Sequence, residues 1–208
     1  MVHPTLKLSY FDMAGRAELT RLALYVADIP FEDERLTGEQ FAARKQSLPF
    51  KQLPTLTVNG NVLAQSHAMA RYAASLGGLY PAADPLAAYR VDEILAASQD
   101  VLDALIVAAF SRDAAAKPAL IKDLVETKLP TMLPCIEARL TSSGKYFLGD
   151  TLTLADLELY LMWGNLTSGK WEGVPTTIAD GYTRWKALAA AVSAHPRVQA
   201  WNAAHPAQ

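Results

Sequence analysis

Leu56-Thr57-Val58-Asn59-Gly60-Asn61-Val62-Leu63-Ala64 is the stretch from which the fold of this chain is read. Asn59-Gly60 most readily supplies the two positive φ angles of a type I′ turn, and the apolar residues on either side read as two short strands. The segment is therefore an antiparallel hairpin. Downstream, Ser66 is placed to cap a helix whose apolar face takes in Met69, Ala70 and Ala73 and which stops near Gly77-Gly78. Upstream, Thr5 to Tyr10 reads as a buried strand. After Ala14-Gly15-Arg16 the residues Leu19, Leu22, Ala23 and Val26 recur at helical spacing. Phe31 to Leu36 gives another strand beyond the Ile29-Pro30 break, and Glu39 to Gln46 a short polar helix. A βαβ unit followed by a ββα unit thus fills the first part of the chain.

Tyr80-Pro81-Ala82-Ala83-Asp84-Pro85 then changes the character, because two prolines so close together cannot continue a helix. A domain boundary is expected there. From Leu86 onward Val91, Ile94, Leu95, Leu102, Leu105 and Ile106 keep helical spacing, as do Leu120, Leu124, Ile136 and Leu140. Pro130 and Pro134 predict either a kinked long helix or two helices meeting near Lys128. Thr153-Leu154-Ala155-Asp156 reads as a capping box opening a buried helix.

With 208 residues, 51% hydrophobic and 19% charged, the chain is an ordinary globular protein of one large or two small domains. A formal charge of −2 gives no electrostatic pull toward nucleic acid or an anionic membrane. Met1 to Thr5 lacks a basic segment followed by an apolar run, and no apolar stretch approaches the roughly 18 residues of a membrane span, so a cytoplasmic, unsecreted protein is expected. Cys135 is the only cysteine, which excludes an internal disulfide framework and any paired-cysteine redox site. His3, His67, His195 and His205 lack metal-ligand spacing, and no phosphate-binding glycine loop or serine-hydrolase elbow occurs. Sulfur chemistry would have to use a thiol brought by a ligand.

Five short motifs narrow the function. Ser9-Tyr10-Phe11 closes the first strand and Gly15-Arg16-Ala17-Glu18 begins the first helix. Leu48-Pro49-Phe50 and Gln52-Leu53-Pro54 precede the hairpin, and Gln65-Ser66 opens the third helix. In these residues and their spacing the chain resembles the sigma-class, tyrosine-dependent glutathione transferases, densely over residues 5–76 and sparsely after Pro85. The resemblance implies an α/β thioredoxin-like N-terminal domain (βαβ-ββα), residues 1–79, that binds glutathione. It implies an all-α C-terminal domain, residues 86–208, that contributes the electrophile pocket. It also implies a homodimer with glutathione as co-substrate, a detoxification role, conjugation of small hydrophobic electrophiles and a peroxidase side activity.

The roles follow residue by residue from the resemblance. Tyr10 would donate its hydroxyl to the glutathione thiolate. A thiol of pKa near ~8.5 needs roughly 2.7 kcal/mol of preferential anion stabilisation to fall by two units, and a hydrogen bond to a charged group supplies about 1.5–3 kcal/mol. Taken alone, Tyr10 would sooner be a strand aromatic with its hydroxyl satisfied by backbone. Phe11 borders the same site, and Arg16 either reaches the thiol region or holds the first turn. Leu53 would bind the cysteinyl backbone before a cis Pro54, although the residues by themselves favour an ordinary trans bond. Gln65 and Ser66 would take the γ-glutamyl carboxylate at a helix N-terminus. Lys45 and Gln52 match positions that bind the glycyl end, where Phe41 stands in place of the usual tryptophan. Asp100 matches an acidic residue that crosses the dimer interface to the partner's ligand; the plain reading is a solvated helix face. Where prostaglandin-isomerising members of the class have a pocket tryptophan this chain has Val107, and Gln99 interrupts their acidic cluster, so that activity is not implied. Two rival readings are a non-catalytic binding or structural protein of the same fold, and a thiol-disulfide oxidoreductase. The second needs a cysteine that residues 10–16 do not contain.

Overall fold

The computed structural model describes residues 3–141 and 143–206. They form two compact units, Met1–Ala83 with His195–Gln208, and Asp84–Ala194. In the first unit β1 (Leu6–Phe11) runs parallel to β2 (Glu32–Leu36) and antiparallel to β3 (Thr55–Val58), which pairs with β4 (Asn61–Ala64). The order β2-β1-β3-β4 makes β1 a central strand, and its alternate residues Leu6, Leu8 and Tyr10 are buried. The hairpin turns at Asn59 (φ 47°) and Gly60 (φ 87°), the two left-handed positions the sequence requires.

Lys7 and Ser9, on the other face of β1, bind β2 side chains. Glu34 accepts from Ser9 Oγ at 2.7 Å, pairs with Lys7 at 2.8 Å and accepts from Arg44 at 2.9 Å. Burial pushes the Glu34 carboxyl up, but the hydrogen bonds from Lys7, Ser9 and Arg44 outweigh it and hold the group at about 2. The edge strand is thereby tied to β1 by side chains as well as backbone.

A 3₁₀ turn at Gly15–Ala17 leads into α1 (Glu18–Val26), which packs on α3 (Ser66–Leu76) through Leu19, Leu22, Ala23, Met69, Ala70 and Ala73. The expected polar helix is shorter than Glu39–Gln46. Helix α2 spans Gly38–Arg44, and a 3₁₀ turn continues to Ser47. Thr37 and Gln40 close a capping box at its start, with bonds of 3.2 and 2.8 Å.

In the second unit α4 (Pro85–Ala109) buries Val91, Ile94, Leu95, Val101 and Leu105, and Asp84 caps it by accepting from the Leu86 and Ala87 amides. Helix α5 (Lys117–Asp123) meets α6 (Leu129–Arg139) through a π-helical segment, Leu124–Lys128, at the junction expected near Lys128. Pro130 follows directly on the π-helical segment, which accommodates its missing N–H, and Pro134 lies within α6. Helix α7 (Leu154–Thr167) begins at the expected capping box. Asp156 accepts from the Thr153 amide and hydroxyl, both at 2.7 Å, and from the Phe147 amide at 2.6 Å. Burial nonetheless pushes the Asp156 carboxyl up. α7 is buried nearly all round and packs on α4 and on α8 (Thr183–Ser193), where Trp185 Nε1 donates to the Leu159 carbonyl at 2.9 Å.

The last helix, α9 (Pro196–Ala204), falls in sequence within the helical region 86–208 but packs on α1 in the first unit. Arg197 donates to the Tyr25 carbonyl at 2.6 Å and to Asp28 at 2.7 Å, and Trp201 donates to Glu18. Among the described residues no helix is long and apolar enough to cross a membrane.

Candidate active site

The strand registers bring the sequence motifs of the first unit to one end of the sheet. Ser9 pairs with Thr55, and Thr55 pairs with Ala64. One residue further along each strand, Tyr10, Pro54 and Gln65 come abreast, with Leu53 and Ser66 next. On the other side Tyr10 pairs with Arg35, after which the chain turns into α2 and presents Phe41 and Lys45. Three separate motifs thus converge because an antiparallel hairpin is laid beside a central strand.

Tyr10 is buried, and its hydroxyl accepts a hydrogen bond from the Arg16 amide at 3.3 Å. That bond uses an acceptor site and leaves the phenolic proton to donate elsewhere. A chain of donors of this kind strengthens the last one. The turn bringing Arg16 there depends on Gly15, whose φ is +46° and whose added Cβ would lie 2.7 Å from the Tyr10 oxygen. Only a residue without a side chain lets this turn close over the ring.

Phe11 packs edge-on against Tyr10 and against Phe41, each with centroids 5.4 Å apart, and Lys45 Nζ stands 5.7 Å from the Phe41 ring centroid. Phe41 therefore serves as an aromatic wall carrying a cation, with no ring N–H to offer. Lys45 and Gln52 are exposed, Leu53 is half-buried and Pro54 buried. The Leu53–Pro54 bond is cis, as the resemblance implies and against the preference of the residues alone.

Ser66 does not cap α3. It is the first helical residue, and the cap is Gln65, at φ 75° and ψ 105°, whose carbonyl already accepts from the Met69 amide at 2.9 Å. A glutamine held at positive φ stores backbone strain of order 1–3 kcal/mol, and such strain collects at ligand-binding turns. The early amides of α3 lack intrahelical acceptors, as at any helix N-terminus, and such amides favour an anion. Asp100 is an exposed residue of α4 in the second unit, and Leu105 of the same helix is core. Glu18, Arg21 and Trp201, which stand behind the Tyr10 turn, were not singled out as site residues. An acid and a base three apart in an apolar helix were the available signal for the first two; Trp201 carried none.

The first unit coincides with a family model described as the glutathione S-transferase N-terminal domain, matched over residues 6–75. The C-terminal domain model of that family matches residues 99–205. The chain belongs to the glutathione S-transferase family. It is 34% identical to glutathione S-transferase 1 of Ascaris suum, with 98% of each chain covered. It is 32% identical to the hematopoietic prostaglandin D synthase of Gallus gallus, again with 98% of each covered. Among solved structures, monomeric Na-GST-3, a glutathione S-transferase from the hookworm Necator americanus, superimposes with a TM-score of 0.84 at 29% identity, covering 100% of this chain and 99% of that one. The glutathione S-transferase family fixes the architecture of a thioredoxin-like first domain with a mixed four-stranded sheet and an all-helical second. The chain is a glutathione transferase enzyme, and glutathione is its co-substrate.

Proposed function

We propose that this enzyme is a sigma-like, tyrosine-dependent transferase that activates the thiol of glutathione for attack on small hydrophobic electrophiles. The observation that carries the reading is the Tyr10 hydroxyl, which accepts the Arg16 N–H and keeps its own proton to donate. Tyr10 then favours bound thiolate over thiol. The Leu53 backbone orients the cysteinyl unit, Gln65 and Ser66 hold the γ-glutamyl carboxylate, and Lys45 with Gln52 meets the glycyl end beside Phe41. Phe11 closes the aromatic wall behind Tyr10, and Arg16 acts through its main-chain amide. Catalysis combines proximity with a preorganised donor, and the same thiolate would reduce peroxides as a side activity. Calorimetric titration with glutathione followed by conjugation of an activated aryl chloride tests the reading. Binding with turnover supports it, and binding without turnover would leave a non-catalytic protein of this fold.

Ser66→Ala separates binding from folding. As Ser66 is not the cap, its loss costs little stability, within about 0.5 kcal/mol. Removal of a charge-assisted bond of about 1.5–3 kcal/mol raises the glutathione Kd by about tenfold or more. Calorimetry paired with urea unfolding reads both, and an unchanged Kd would confine Ser66 to the helix.

A cytoplasmic detoxification role and a homodimer belong to this proposal. Each unit by itself exposes large apolar side chains, Phe50 and Val62 in the first and Leu86 and Tyr89 on α4 in the second. Asp100 is then the residue that meets the γ-glutamyl amine in the partner subunit. Asp100→Asn is expected to weaken glutathione about fivefold or more without dissociating the dimer. Sedimentation with calorimetry tests this; a fully active monomer, the state of the hookworm neighbour, would overturn the cross-subunit contact.

A further inference from the structure

Behind the turn that carries Gly15 and Arg16 lies a buried polar cluster that the chemistry above does not use. Arg21 of α1 is fully buried. Its guanidinium donates to the Met13 carbonyl at 2.7 Å, the Ala14 carbonyl at 3.2 Å and the Phe11 carbonyl at 3.4 Å. These carbonyls belong to the segment between Tyr10 and Gly15, so one planar cation sets the path of the chain from the hydroxyl to the glycine. The same guanidinium lies 5.8 Å from the centre of the Tyr10 ring.

Arg21 is held in turn. Nε donates to Asp33 on β2 at 3.0 Å, and Nη1 to one oxygen of Glu18 at 3.3 Å. The other Glu18 oxygen accepts from Trp201 Nε1 at 2.6 Å. Trp201 comes from α9, is buried, and packs between the Tyr25 ring at 5.0 Å and the His205 ring at 3.9 Å. A buried carboxylate keeps its orientation only while its lone pairs are occupied, and a buried guanidinium follows the carboxylates that neutralise it. The indole N–H therefore decides which way Glu18 faces, and Glu18 decides how Arg21 is presented to the three carbonyls.

We propose that Trp201 is a positioning residue for the transferase reaction: through Glu18 and Arg21 it fixes the Phe11–Ala14 segment, and so the place of Gly15 and the Arg16 N–H against the Tyr10 hydroxyl. The catalytic consequence rests on the reading of Tyr10 as the thiol activator; the geometric one does not. Helix α9 has a second anchor, the Arg197 bonds to the Tyr25 carbonyl and to Asp28; Tyr25 also packs on Trp201, but the Arg197–Asp28 pair stands outside the Trp201–Glu18–Arg21 bonds and supplies the control.

The experiment compares Trp201→Phe, which keeps an aromatic ring but removes the N–H, with Asp28→Asn, which loosens α9 at the other anchor. Asp28 sits at φ 58°, a conformation asparagine tolerates, so the second change is mild. Two readouts are taken in full-length enzyme: the backbone amide resonances of Gly15 and Arg16, and the pH dependence of kcat/KM for conjugation of an activated aryl chloride. Trp201→Phe is expected to move both amides, to shift the acid limb upward by about half a unit and to lower turnover below that limb about threefold, with glutathione affinity within about twofold. Asp28→Asn is expected to lower the Tm and leave both readouts in place. Glu18→Gln, which keeps an acceptor for the indole but removes the charge facing Arg21, is expected to move the same amides and stands in if Trp201→Phe does not fold. Unmoved amides and an unmoved acid limb in Trp201→Phe would overturn the proposal, as would Asp28→Asn reproducing the changes. Tyr10→Phe measured alongside distinguishes the two levels: an unaltered bound-thiol pKa there removes the Tyr10 reading, while the amide shifts still decide the positioning.

Discussion

Gly15→Ala lowers conjugation by about 10- to 100-fold while glutathione still binds. The new methyl would have to occupy a point 2.7 Å from the Tyr10 oxygen and 2.8 Å from its ring edge, distances that non-bonded carbons do not keep. The turn cannot relax by changing φ without moving the Arg16 amide, since +46° already disfavours alanine by roughly 1–2 kcal/mol. Either the ring swings away or the turn opens, and the 3.3 Å bond from Arg16 to the hydroxyl is lost in both cases. Gln65 and Ser66 lie at the start of α3, beyond the end of β4, and are untouched. Steady-state kinetics with calorimetry checks the split, and a variant with unaltered turnover would show that neither the turn nor the hydroxyl is placed as described.

Glu158→Gln changes the pH dependence of stability more than any other single replacement expected here. Glu158 lies on α7, and burial pushes its carboxyl up to about 7, with only the Ser98 hydroxyl of α4 pulling the other way. That hydroxyl makes no hydrogen bond of good geometry, so burial wins. The ordinary carboxyl value is 4.5, so between that pH and about 7 the folded chain holds a proton that the unfolded chain has released. The contribution of this group to stability is therefore greatest below pH 4.5, declines as pH rises through 7, and is then level, a loss of about 3 kcal/mol. Glutamine cannot ionise. The variant is expected to match or fall slightly below wild type at pH 5 and to exceed it by about 1–3 kcal/mol at pH 8. Urea unfolding at the two pH values measures the difference, and parallel curves for the two proteins would show that Glu158 is ionised without penalty.

Much of the first unit was legible because its signals are local. Asn59-Gly60 names its own turn type, the strand and helix periods differ, and the hairpin register then forces Tyr10, Pro54 and Gln65 together. The Thr153–Asp156 box and the break near Lys128 were legible for the same reason. Ser66 was placed one residue wrong because the actual cap is a glutamine at positive φ, a conformation glutamine does not advertise. Leu102 and Leu105 shared a helical period, yet only Leu105 is fully buried, because the stripe on α4 is set by its packing partners and not by spacing alone. What sequence could not show was the support behind the site. Arg21 reads as an ordinary helix arginine, and its partner Asp33 lies 12 residues away, while Trp201, which donates to the Glu18 that faces Arg21, lies 183 residues from that glutamate in the chain, brought near only by packing.

Thiol activation in this enzyme depends on the Tyr10 hydroxyl favouring thiolate. Titrating the ultraviolet absorbance of the glutathione thiolate bound to wild type and to Tyr10→Phe measures this with no dependence on the identity of the electrophile. The two proteins are expected to bind glutathione within about threefold of each other, with the bound thiol titrating roughly one to two units higher in the variant, the value of one lost bond to an anion. Identical titrations would take Tyr10 out of the chemistry.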